Sequence, residues 1–124
     1  MSQTEILESP VSEVRRAGNM IWAVAIPEDL QTGAIIGDDI ATQTRQTIEN
    51  LALAFAQEGA SLADVTQVQV FLTDAADAAG MNVAYRAYFQ APYPVRATVV
   101  VKELLDPAMK VEMLATAVLS NAGA

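Results

Sequence analysis

Ile40, Thr44, Thr47, Ile48, Leu51 and Phe55 recur at spacings of three and four, which places them on one face of an α-helix. Asp38 and Asp39 stand ahead of this pattern as candidate N-caps, and Gly59 stands after it where a left-handed C-terminal cap is wanted. The spacing predicts a helix running to about Gln57, with Arg45, Gln46, Glu49 and Asn50 on its wetter side. A helix with a single apolar stripe is stable only when that stripe is covered. The rest of the chain must therefore supply a surface.

The flanking segments read as that surface. Met20-Ile21-Trp22-Ala23-Val24-Ala25-Ile26 is apolar and β-prone, and Ala17-Gly18-Asn19 before it suits a hairpin turn, which predicts strands on both sides. Pro27 ends the second of them, and Gln31-Thr32-Gly33 reads as a further turn. From Val65 to Thr73 the chain alternates, with Val68, Val70 and Leu72 on one face and Gln67, Gln69 and Phe71 on the other.

Thr73-Asp74 then precedes a second helical pattern, with Asp77 in its first turn and Met81, Ala84, Tyr85 and Tyr88 on one face. Ala91-Pro92-Tyr93-Pro94 stops it. Two more strands are predicted, Ala97 to Lys102 and Lys110 to Leu119, separated at Leu105-Asp106-Pro107. The order β-β-α-β-α-β-β is that of an α+β sandwich with both helices on one sheet face. The other face mixes Gln, Phe, Val and Thr and suits burial against further subunits.

With 124 residues and 52% hydrophobic composition the chain can build one core, so residues 1–124 are expected to form a single domain with residues 1–9 as a loose arm before Pro10. No apolar run approaches the length of a membrane span, the polar N-terminus does not resemble a signal peptide, and cysteine is absent. These features together predict a cytoplasmic protein with no membrane partner.

Seven basic residues against fifteen acidic ones give a net charge of −8. Nucleic acid is therefore not an expected partner, because phosphate backbones are held by clustered Lys and Arg. An anion could bind only at a specific, locally placed cation. The absence of His and Cys removes Ser-His-Asp triads, cysteine nucleophiles, conventional zinc sites and haem ligation by His.

Five stretches, taken in order, resemble the RidA/YjgF family of reactive-intermediate deaminases. They are Val14-Arg15-Arg16-Ala17-Gly18-Asn19; Asp39 to Gln46 with Glu49-Asn50-Leu51; Gly59 to Val65 joined to Val70-Phe71-Leu72-Thr73-Asp74; Asn82 to Phe89; and Pro92-Tyr93-Pro94-Val95-Arg96-Ala97-Thr98, followed by Val111-Glu112-Met113. The resemblance implies a chorismate-mutase-like fold and a homotrimer with a central barrel and clefts between subunits. It also implies hydrolysis of enamine or imine acids to a keto acid and ammonia, with no metal or organic cofactor.

By the same resemblance Arg96 is the arginine that clamps the substrate carboxylate, a role that suits a planar guanidinium able to give two parallel hydrogen bonds. From the residues alone, an arginine after a proline at a strand start reads first as a solvated surface residue, and the resemblance reverses that preference. Thr98 and Asn82 match positions that line the cleft, although Asn82 also reads as a polar residue on an exposed helix face. Trp22 reads as core or interface packing, or as the wall of an apolar pocket.

The departures from the family pattern concern the handling of water. Deaminase members carry two glutamates two residues apart on the last strand, and here those places hold Glu112 and Leu114. The family's early Pro-Tyr reads Pro10-Val11, and its Ser-Gly-Gln after the second strand is replaced by Ala23-Val24-Ala25. Glu112 is one acid candidate, about 6.6 Å along the strand from Leu114, with a solvated or ion-paired glutamate as the competing reading, and Glu103 and Asp106 in the adjoining loop are further candidates. Val11, Trp22 and Leu114 suggest a cleft suited to larger, more apolar acids. Two main readings stand: a cofactor-free deaminase anchored by Arg96, and a trimeric binder of carboxylate metabolites without turnover. Nucleic-acid cleavage, ascribed to some relatives, is the poorest fit.

Overall fold

The computed structural model describes residues 10–120. The expected arm at residues 1–9 lies outside the described residues. Strands β1 (Val14–Ala17) and β2 (Met20–Ala25) form a hairpin, helix α1 spans Ile40–Ala56, and β3 covers Val65–Leu72. Helix α2 (Ala78–Arg86), β4 (Val95–Val100) and β5 (Val111–Val118) complete the order. The five strands make one sheet in the order β1-β2-β5-β3-β4, antiparallel except for the β3–β4 pair. The fold is α+β, in the predicted order of elements.

Local chemistry explains most boundaries. Gly18, at φ +59°, takes the first central position of the two-residue turn between β1 and β2. Of the two candidate caps for α1 the structure uses Asp39, whose carboxylate accepts from the Thr42 N–H at 2.9 Å. Past the end of α1, Gly59 is left-handed and Ala60 N–H returns to the Phe55 carbonyl at 3.0 Å, so the last helical carbonyls are satisfied.

Two boundaries differ from expectation. β4 begins at Val95 and ends at Val100 rather than spanning Ala97 to Lys102. Its extent is set by its partner: the pairing runs from Gln67↔Val95 to Leu72↔Val100 and stops where β3 stops. The second helix ends at Arg86, so Tyr88 lies beyond it and donates its hydroxyl to Glu49 on α1 at 2.6 Å. A short 3₁₀ turn, Ala75–Asp77, holds the Asp77 expected in that helix's first turn.

The core lies between the sheet and the two helices. Ile21, Val68, Val70, Leu72, Val111 and Met113 point from the sheet toward Ile48, Leu51, Phe55 and Met81, and all are fully buried. The buried Gln43 joins α1 to the β4–β5 connection. Its amide donates to the Ala108 and Gly37 carbonyls at 2.8 and 3.1 Å, and its carbonyl accepts from Lys110 N–H at 2.7 Å.

The opposite sheet face carries no helix. Trp22 and Leu114 are 36% and 38% exposed there, beside Met20, Val118, Val95 and Val99. Alternation along each strand forces these residues outward once Ile21, Met113 and Val68 point inward.

Candidate functional site

Arg96 pairs with Val68 across the parallel β3–β4 ladder, and neighbours in register share a face. Val68 faces the helices, so Arg96 does too. Because β4 is an edge strand, its side chain can reach along the flank of α2. One guanidinium nitrogen donates to Asn82 Oδ1 at 2.6 Å, the other approaches Met81 Sδ at 3.9 Å, and the guanidinium carbon lies 4.7 Å from the centroid of the Tyr85 ring. Tyr85 is itself steadied by stacking on Phe89, with ring centroids 4.4 Å apart.

Every one of these contacts is neutral. Among the described residues no carboxylate pairs with Arg96, so its charge is positioned but uncompensated, and part of its fork of N–H donors is free for an incoming anion. Asn82, Tyr85, Arg86, Tyr93, Pro94 and Arg96 together line an open hollow of about 670 Å³. Burial pushes the Tyr85 hydroxyl above its ordinary range, with the Arg96 charge acting in the opposite direction.

The other predicted site residues lie apart from this hollow. Thr98 shares the Arg96 face through its pairing with Val70 but is exposed and does not line the hollow. Trp22 and Leu114 stand on the bare face. Glu112 lies on that face as well, paired with Phe71 and flanked in sequence by the inward Val111 and Met113. Within one protomer the sheet separates Arg96 from Glu112.

Glu112 instead lines a smaller hollow of about 180 Å³ at the end of β2, with Glu13, Glu28, Val24, Leu53 and Asn50 among its neighbours. Burial raises the Glu112 carboxyl above the ordinary glutamate range, and burial followed by repulsion from Glu13 raises Glu28. Asn50 is buried and donates to the carbonyls of Ile26 and Glu28, both at 2.9 Å, which anchors the chain leaving β2. Among the described residues no group of three or more acids is placed to hold a metal ion, and no helix is long and apolar enough to cross a membrane.

Sequence reasoning passed over Arg86 and Tyr93 as walls and placed Tyr85 only in a helix stripe. The signal was present: Tyr85 and Arg86 follow Asn82 by three and four positions, which puts all three on adjoining parts of one helix surface.

A single mixed sheet with two helices on one face, and a cationic hollow between a helix and the edge strand, define the class of protein. The chain belongs to the Endoribonuclease L-PSP family, also known as YjgF/RidA, whose sequence model matches residues 6–119. It is 42% identical over 96 residues to a RutC family protein of Pyrococcus abyssi, covering 77% of this chain and 76% of that one. It is 35% identical over 102 residues to a 2-iminobutanoate/2-iminopropanoate deaminase of Salmonella typhimurium, covering 80% and 78% of the two chains. Among solved structures, E. coli TdcF with bound serine superposes with a TM-score of 0.84 at 34% identity, covering 90% of each chain.

Proposed function

We propose that this protein is a cofactor-free deaminase of the cytoplasm, working as a homotrimer on the imine or enamine of a small carboxylic acid. Arg96 holds the substrate carboxylate and so fixes the adjacent C=N carbon. An enamine first tautomerises to the imine, a proton moving from nitrogen to the β-carbon; the oxygen of a water molecule then bonds to the C=N carbon, both protons of the water end on nitrogen, the C–N bond breaks, and a 2-keto acid and ammonia leave. The Arg96 guanidinium, held by Asn82 and Tyr85 and without an acidic partner among the described residues, is the observation that carries this reading. The relatives named as deaminases support it.

In this reading the site is composite. The sheet of one protomer separates Arg96 from Glu112, so the groups that face the bound acid beyond the Arg96 hollow come from the bare face of a neighbouring copy. The apolar residues exposed there support such an assembly. Thr98 continues the cleft along β4, Trp22 and Leu114 wall it, and Glu112 is the acid left to orient water.

Leu114 favours a second reading, a trimer that binds carboxylate metabolites without turning them over, because a leucine cannot relay a proton where deaminases of the family carry an acid. The test is keto-acid release from imines generated in situ, comparing wild type with Arg96→Ala. Turnover that falls at least about 10–100-fold in the variant supports the deaminase, as loss of a charge-assisted anchor requires. Carboxylate binding that Arg96→Ala abolishes, without turnover by the wild type, supports the binder.

A further inference from the structure

The hollow around Arg96 holds a second cation. Of seven basic residues in the chain, two, Arg86 and Arg96, line this one space, and none of the described residues of the same protomer that line it is acidic although the chain has fifteen acidic residues. Arg86 is exposed in the last turn of α2, and no carboxylate pairs with it among the described residues. The hollow is therefore a local reversal of the field of a protein whose net charge is −8.

We propose that the hollow selects acids carrying two anionic groups. Arg96, fixed by Asn82 and Tyr85, takes the carboxylate beside the reacting carbon, and Arg86 takes the second anion. This rests on the reading of Arg96 as the carboxylate anchor and names its substrate class: imines of small dicarboxylic acids. The competing role for Arg86 is to sit against the C-terminal carbonyls of α2, where any cation is favourable and no ligand is involved.

Succinate and butyrate separate the two, since they share a four-carbon chain and differ by one carboxylate. Titration calorimetry at low ionic strength is expected to show succinate binding about tenfold tighter than butyrate to wild-type protein, with the preference shrinking in high salt. In Arg86→Gln the ratio of the two affinities should fall toward one, and Arg86→Lys should restore part of it. Equal affinities in the wild type, or a ratio unchanged in Arg86→Gln, overturn the proposal.

Arg96→Gln reports on the underlying reading. Both acids lost in that variant, with no wild-type preference for succinate, leaves Arg96 as the anchor and removes Arg86 from the site. Both acids bound as in the wild type removes Arg96 as the anchor and the proposal with it, as does a wild type that binds neither. Thermal melts of each variant show that the fold is retained.

Discussion

One guanidinium nitrogen of Arg96 donates to Oδ1 of Asn82 across 2.6 Å, which ties the edge strand β4 to helix α2 and aims a charged group that has no acidic partner among the described residues. Asn82→Ala removes this tether and should weaken carboxylate binding about tenfold, the worth of one hydrogen bond to a charged group. Asn82→Asp should be worse than alanine, because a built-in carboxylate then competes with the ligand for the same donors. Calorimetric titration with a small carboxylic acid, compared across the two variants, checks the order.

Gln43 supplies three hydrogen bonds to backbone groups while fully buried. Gln43→Met keeps the volume and removes the partner of the Lys110 N–H and of the Ala108 and Gly37 carbonyls, three part-buried hydrogen bonds. The expected loss is about 3 kcal/mol, or roughly 10 °C in melting temperature. Differential scanning calorimetry measures it, and a loss under about 1 kcal/mol would show that this strut is dispensable.

Burial holds the Glu112 carboxyl above its ordinary value of 4.5, so the folded protein binds that proton more tightly than the unfolded chain. Stability then decreases as pH rises from the ordinary glutamate range through the folded value. Glu112→Gln should raise the melting temperature at about pH 7.5 and make little difference near pH 3.5, where the carboxyl is protonated in both states. Asp39 has the opposite sign. Hydrogen bonds from Thr42 lower its folded value, so the stability it contributes disappears as the solution is acidified. Melts of Glu112→Gln and Asp39→Ala across pH separate the two.

Leu114 stands 38% exposed on the helix-free face, with Val24 opposite on β2 and Gln69 opposite on β3. Leu114→Arg would force a charge into any surface that a second copy covers, while the exposed position leaves the protomer's own core intact. Sedimentation equilibrium should show the wild type as a trimer and this variant as a protomer of unchanged helix content. A wild type that sediments as a protomer would rule out the composite cleft.

Periodicity settles which residues share a face within one element, and that much the amino-acid sequence determined unaided. Ile48, Leu51 and Phe55 face the core, Val68 and Val70 face inward, and Gly18 and Gly59 mark the turns. The end of β4 was not legible, because a strand extends only as far as the ladder beside it, and β3 lies more than twenty residues away in the chain.

The arrangement of the candidate site belongs to the tertiary structure for the same reason. Alternation relates Glu112 to Leu114, and helical spacing relates Asn82 to Arg86. Neither relates β4 to β5, which are not neighbours in the sheet. Only the strand order and the register between strands place Arg96 against α2 and Glu112 on the other side. Those pairings are set by packing between segments distant in sequence, which no local pattern encodes.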